Sequence, residues 1–278
     1  MEREGYDLIA FDMDGTLLTS EKVLSSATLA AISTATARGA RVVVASGRSL
    51  VQLSDYQPQL MGAGIRYAIT CNGGLVYDAQ LSRVIAKTSF TSRQVTSIVE
   101  AFRPEGDLVM PEASGNGTFA VNEHQIPHMA RYGMADYRPM FERLAERVAD
   151  MPAFMLEGGT CFEKVSLHSS DLDALTRIGH RLEGAGLETS VSEVWSIEIT
   201  PQGVSKGTGL RALAAALGID LEHTVGVGDG GNDMALVEMA GTGVAMGNAT
   251  DELKAASNFV VRDNDHDGCA EAVLRFMA

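Results

Sequence analysis

The sequence predicts an α/β fold: a parallel sheet covered by helices on both faces and interrupted by an inserted α+β domain. Three observations carry that expectation. Short, nearly continuous apolar runs alternate with helical patterns in the first and last thirds of the chain. Each run stops at a cluster of Gly and polar residues. The middle, residues 84–195, changes character, with longer polar loops and most of the histidines.

Asp7–Phe11 is the first strand candidate. Ser25 or Ser26 can cap a helix running to Arg38, with Gly39 as its stop. Arg41–Ala45 is a second apolar strand, followed by "SGR" and a helix-like stretch from Ser49. Tyr67–Thr70 is a third, ending at the turn "CNGG". In the last third, Lys206–Leu217 reads as a helix stopped by Gly218, and Thr224–Val227 as a strand followed by "GDGGND" and a helix to Ala240. Val244–Met246 and Phe259–Val261 read as short strands flanking a helix near Thr250–Ala256, and Gly268–Met277 as a closing helix.

In the middle, "GTFAVNE" and "CFEKVSLHS" read as strands, "PEASGNG" as a loop, and Arg93–Phe102, Met140–Ala149 and Leu172–Gly184 as helices. The expected division is therefore 1–83 with 196–278 for the α/β core and 84–195 for the insertion, with linkers near Leu81–Ile85 and Val194–Pro201.

The 278 residues, 45% hydrophobic and 21% charged, read as a globular protein with ample core volume. A net charge of −14 argues against general nucleic-acid or anionic-membrane binding, so no nucleic acid and no membrane is expected as a partner. The three cysteines form no CxxC pair or metal-ligand spacing, the N-terminal apolar run is too short for a signal peptide, and no stretch approaches membrane-spanning length. A cytoplasmic location with reduced thiols is expected.

Candidate chemistry begins at "DLIAFDMDGTLLTS", where an apolar strand ends in two carboxylates, Asp12 and Asp14. Residues i and i+2 of an extended segment point the same way. Two carboxylates so close resist joint ionisation without a cation nearby. Ligands of open parallel sheets bind beyond the carboxyl ends of the strands. Asp12, Ser46-Gly47-Arg48 and Gly228-Asp229 all fall at such ends, and Lys206 adds an ammonium after "TPQGVS".

Each member alone has an ordinary explanation. Asp12, Asp14 and Asp229 suit turns, Ser46 a helix cap, Asp233 a first helical turn, and Asn72 a left-handed turn. Lys206 alone would be a solvated lysine, although a cation opposes the dipole at a helix start. Their joint arrangement favours a site. Gly226, Gly228 and Gly231 formally satisfy GxGxxG, but Asp229 and Asp233 would repel a pyrophosphate at those amides. His124 and His128 are spaced i, i+4 with Pro127 between them and no acidic partner, which favours loop histidines over metal ligands.

"DMDGT", "SGR", "GVSKG" and "GDGGND", in this order, resemble the four motifs of the haloacid-dehalogenase-like hydrolase superfamily. "ITCNGGLVYD", "IEITPQGVSKG" and "AGTGVAMGNA" resemble its Cof-type branch. The resemblance covers residues 7–78 and 195–268, and the middle matches by position and size. It implies a Rossmann-like parallel-sheet core with an inserted α+β cap that sets substrate specificity.

By that resemblance, Asp12 is the nucleophile that forms an aspartyl-phosphate and Asp14 the general acid and base. Mg²⁺ is implied on Asp12, Asp229 and the Asp14 backbone carbonyl, with Asp233 behind them. The hydroxyl of Ser46, the amides of Met13 and Gly47, Asn232 and Lys206 are implied to hold phosphoryl oxygens, and Lys206 to stabilise the nucleophile. Arg48 is a supporting candidate, while Thr16 and Asn72 read as loop-shaping residues.

The implied activity is hydrolysis of a small cytoplasmic phosphate monoester, a sugar phosphate or a phosphorylated cofactor precursor. A phosphomannomutase-like phosphotransferase shares these motifs. A phospho-acceptor signalling module also gathers acids, Ser or Thr and Lys at strand ends, but lacks so large an insertion. A dinucleotide-binding oxidoreductase ranks third.

Overall fold

The computed structural model describes residues 5–159 and 161–277. They divide into two units. The first contains the chain up to Arg48, Leu53–Lys87 and the chain from Ser205, and the second contains Ser49–Gln52 and Thr88–Val204.

The first unit is built on an eight-stranded sheet with Leu8–Phe11 at its centre. Arg41–Ala45 and Tyr67–Thr70 follow on one side, and Thr224–Gly228, Thr242–Ala245 and Phe259–Val260 on the other, all parallel. Leu75–Asp78 and Arg83–Lys87 add an antiparallel edge. Every residue of Leu8–Phe11 is fully buried, with Ile9 and Phe11 in one apolar cluster and Leu8 and Ala10 in another. A strand covered on both faces has no use for polar alternation, which explains its continuous apolar run. Successive strands are added outward in opposite directions on its two sides, the arrangement that in open parallel sheets leaves a crevice beyond the carboxyl end.

Helix Ser26–Ala37 is capped by Ser25, whose hydroxyl accepts from the Thr28 amide. The expected helix from Ser49 is replaced by a short 3₁₀ turn, Val51–Leu53, and helix Gln57–Gly62, with Pro58 in its first turn.

The second unit is a six-stranded sheet in the order Leu187–Glu193, Ser196–Pro201, Phe162–His168, Met110–Gly115, Thr118–Asn122 and Glu146–Val148. Only the last pair is parallel. Val165, Leu167, Ala113 and Ile199 pack with helices Ser92–Phe102 and Leu172–Leu182 through Ile98, Val99, Ile178 and their neighbours. These helices show the i, i+3, i+4 apolar stripe that such packing requires.

The opposite face is buried and mixes polar side chains with the apolar Met110, Phe119 and Val121. Glu112 lies across from Ser166, which lies across from Glu198. His168 lies across from Ser196 on one side and Met110 on the other. Lys164 opposes Ser114.

Three expectations for the middle change. "PEASGNG" is no loop: Met110–Gly115 is a strand, and Asn116 and Gly117, both at positive φ (53° and 84°), form the two-residue turn into Thr118–Asn122. The expected helix Met140–Ala149 stops at Leu144, after which Glu146–Val148 extends to join the sheet. The boundaries expected at 84 and 195 fall at 88 and 204. Arg83–Lys87 completes the first sheet, and Ser196–Pro201 belongs to the second. Both are ordinary strands in sequence, and pairing alone decides which sheet takes them.

Candidate active site

The Asp12 amide donates to Val227 O at 3.0 Å, so the parallel ladder continues one residue past Phe11. The chain then turns at once, with the Leu17 amide bonded to Asp12 O and the Leu18 amide to Met13 O. Gly15 makes the turn possible. Its φ is +78°, and a Cβ there would lie 2.3 Å from Oδ2 of Asp229. Thr16, expected only to shape the loop, donates its hydroxyl to Asp229 Oδ1 at 2.7 Å and so orients that carboxylate.

Lys206 is the first residue of helix Lys206–Leu217, whose Ser205–Thr208 capping box fixes the start. Its ammonium is fully buried and donates to Asp12 Oδ1 at 2.7 Å and Asp233 Oδ1 at 2.6 Å. The helix comes this close to Met234–Met239 because residue 207 is Gly: a Cβ would sit 2.0 Å from Ala235 O. Asp233 is fully buried and spends its other oxygen on the amides of Asp229, at 2.9 Å, and Gly230, at 3.0 Å. Those are amides a pyrophosphate would need, so the GxGxxG pattern is already occupied by an internal carboxylate.

The carboxylates of Asp12, Asp229 and Asp233 offer oxygens within 4.8 Å of one another. Burial raises the Asp12 carboxyl well above its ordinary range despite Lys206, and Asp233 and Asp229 push it further. Asp229 is raised to about 6, first by burial and then by Asp233. Burial alone would lower the Lys206 ammonium, but Asp12 and Asp233 outweigh it and hold it charged. Three acids therefore share one internal cation. An all-oxygen donor set with surplus negative charge fits a hard divalent ion such as Mg²⁺.

Asp14 is turned to other partners. Arg48 grips it through Nε to Oδ2 at 2.7 Å and Nη2 to Oδ1 at 2.8 Å, and Lys22 Nζ reaches Oδ1 at 2.9 Å. Burial works to raise this carboxyl, but Arg48 and then Lys22 hold it far below its usual value. Lys22 was not among the candidates expected from sequence. It occupies the turn Thr19–Val23 with φ +58°, and no motif marks it.

Ser46 is buried at the end of Arg41–Ala45, and its hydroxyl oxygen accepts from the Arg48 amide at 3.2 Å. Gly47 and Asn232 are half-buried, and Met13 is fully buried. Asn72 has φ +51°, and its backbone N–H donates to Ser46 O at 3.1 Å. His124 is exposed, 3.3 Å from Asp107.

The site thus brings together an acid-ended central strand, a buried lysine and a second acidic loop on one α/β core. The chain matches the family model for haloacid dehalogenase-like hydrolases over residues 9–273, and it belongs to that family. It is 31% identical over 279 residues to the pyridoxal phosphate phosphatase YbhA of Escherichia coli, covering 96% of this chain and 97% of that one. It is 29% identical over 279 residues to the 5-amino-6-(5-phospho-D-ribitylamino)uracil phosphatase YcsE of Bacillus subtilis, covering 100% and 99%. Among solved structures, a haloacid dehalogenase-like hydrolase from B. subtilis superposes with a TM-score of 0.84 at 25% identity, covering 96% of this chain and 99% of that one. Among the described residues, no helix is long and apolar enough to cross a membrane.

Proposed function

We propose that the chain is a Mg²⁺-dependent phosphatase of small cytoplasmic phosphate monoesters, working through an aspartyl-phosphate on Asp12. The observation that carries this reading is the buried Lys206 ammonium bonded to Asp12, with Asp229 and Asp233 alongside.

The carboxylates of Asp12 and Asp229, with the Asp14 carbonyl, would hold the ion. Bound there, Mg²⁺ offsets the repulsion among the acids and orients the phosphoryl group. Asp12 attacks phosphorus, and the leaving alkoxide takes a proton from Asp14. Asp14 then removes a proton from the water that hydrolyses the acyl phosphate. Lys206 compensates charge on Asp12 and on the transferring group. Ser46, the amides of Met13 and Gly47, and Asn232 hold phosphoryl oxygens. Arg48 and Lys22 hold Asp14 ionised and oriented, so the proton it gives the alkoxide is one taken up from solvent as substrate binds.

Purified protein with Mg²⁺ is expected to release inorganic phosphate steadily from p-nitrophenyl phosphate. A single stable phosphorylation without turnover would instead identify a phospho-acceptor module. Isomerisation of a sugar phosphate without phosphate release would identify a mutase.

A further inference from the structure

Lys22 reaches Asp14 from a turn in a costly conformation. Its φ of +58° lies in the left-handed region, which a residue other than Gly or Asn keeps only where the surroundings impose it. The turn is closed by the Lys22 amide on Thr19 O at 2.8 Å and the Thr19 amide on Val23 O at 3.0 Å. The Lys22 side chain is 46% exposed, so burial does little to fix it.

Two residues outside the turn impose its geometry. Both oxygens of the Asp265 carboxylate go to Ser20: Oδ1 accepts from the Ser20 amide at 2.8 Å and Oδ2 from its hydroxyl at 2.5 Å. Tyr56 donates its hydroxyl to Lys22 O at 3.3 Å, and its ring centre lies 5.5 Å from the Arg48 guanidinium, within cation–π range. Tyr56 therefore touches both residues whose cations grip Asp14.

Asp265 stands on a firm base. Its amide donates to Asp263 Oδ1 at 3.0 Å, and the Gly268 amide donates to Asp263 O at 3.0 Å. Gly268 packs so tightly that a Cβ there would lie 1.9 Å from Arg262 O. The same loop grips the chain on both sides of the turn. Asn264 Nδ2 donates to Leu18 O at 2.9 Å, and the Ser25 hydroxyl donates to Asp267 Oδ1 at 2.6 Å. All of these residues belong to the first unit.

Stability alone does not account for the arrangement. Exposed hydrogen bonds contribute little, and Gly or Asn would take the left-handed position at lower cost than lysine. What the contacts fix is the place of the Lys22 ammonium, 2.9 Å from Asp14 Oδ1, the oxygen that Arg48 Nη2 also holds.

We infer that Asp265 and Tyr56 are positioning residues for the acid Asp14: Asp265 acts through Ser20 and Lys22, and Tyr56 through Lys22 and Arg48. Neither touches the reacting atoms. The inference rests on the phosphatase reading above and adds to it the residues that aim its acid.

The test uses the full-length protein with Mg²⁺ and reads kcat/KM, which covers phosphoryl transfer to Asp12 and leaves out the later hydrolysis. Benzyl phosphate and p-nitrophenyl phosphate are similar in size, but only the benzyl alkoxide needs a proton to leave. Asp265→Ala should lower kcat/KM on benzyl phosphate about tenfold and on p-nitrophenyl phosphate less than about threefold. Asp265→Asn keeps an acceptor for the Ser20 amide and should recover most of the loss. Ser20→Ala cuts the hydroxyl bond from the other side, should show the same selective loss, and serves if Asp265→Ala does not fold. Tyr56→Phe, which drops only the bond to Lys22 O, should shift the ratio the same way by about threefold. In a Lys22→Met background, Asp265→Ala should add no selective loss, because its path to Asp14 is already cut. Equal losses on the two esters, or full additivity of Asp265→Ala with Lys22→Met, would overturn the inference and leave the phosphatase reading standing. A wild type inert toward both esters would remove both.

Discussion

Arg48 holds Asp14 by two parallel hydrogen bonds, 2.7 and 2.8 Å, so the second acid of the motif is fixed in direction as well as charge. Lysine cannot reproduce a planar two-point grip. Arg48→Lys should therefore lower kcat on alkyl phosphates about tenfold, with little change in KM. Asp14→Asn should slow poor leaving groups far more than nitrophenolate, because only the former need a proton. Comparing alkyl with nitrophenyl phosphates checks both, and equal losses on the two would remove Asp14 as the acid.

Asp12→Asn should abolish turnover while leaving the fold intact, since Lys206 keeps its 2.6 Å bond to Asp233. Circular dichroism and phosphate release on the same preparation give the answer. Near-normal activity would show that another residue attacks phosphorus.

Gly15→Ala should be more damaging than a turn glycine usually is. The methyl group would demand the space of the Asp229 carboxylate in addition to a strained φ of +78°. Activity should fall at least about tenfold, and Mg²⁺ should bind more weakly by calorimetry. Gly203→Ala, also at positive φ (+76°) but with open space around it, is the control for strain alone and should keep its Mg²⁺ affinity.

The acids also set a pH dependence. Asp12 and Asp229 bind protons more tightly folded than unfolded, so in metal-free protein they lower stability as pH rises through the Asp229 value of about 6. Mg²⁺ competes with those protons. The rise in Tm on adding Mg²⁺ should be small at pH 5 and larger at pH 7.5, as scanning calorimetry would show. An equal rise at both values would mean the ion binds elsewhere.

Much of this site could be read from residue order because its parts sit at strand ends, where an apolar run breaking into Asp or Gly is visible. Leu8–Phe11, Arg41–Ala45 and Thr224–Gly228 delivered Asp12, Ser46 and Asp229 in that way. Lys22 was hidden because its contact with Asp14 depends on the turn Thr19–Val23, which no periodicity records. The strand Met110–Gly115 was hidden in a stretch rich in Pro, Ser and Gly, where polarity suggested a loop. It pairs with Thr118–Asn122 and Phe162–His168 with all six residues buried, which is a property of the assembled fold. The Asn116-Gly117 turn was the local clue that a hairpin lay there.

Leu8 pairs with Thr224, and Lys206 meets Asp12 across most of the chain. During synthesis the central strand must wait beside the ribosome without its inner neighbour while the whole inserted unit is made. A fragment released early carries Asp12 but lacks the Lys206 ammonium, the Asp229 loop and the far half of the sheet. The candidate site is therefore assembled only once the chain beyond Ser205 has been made.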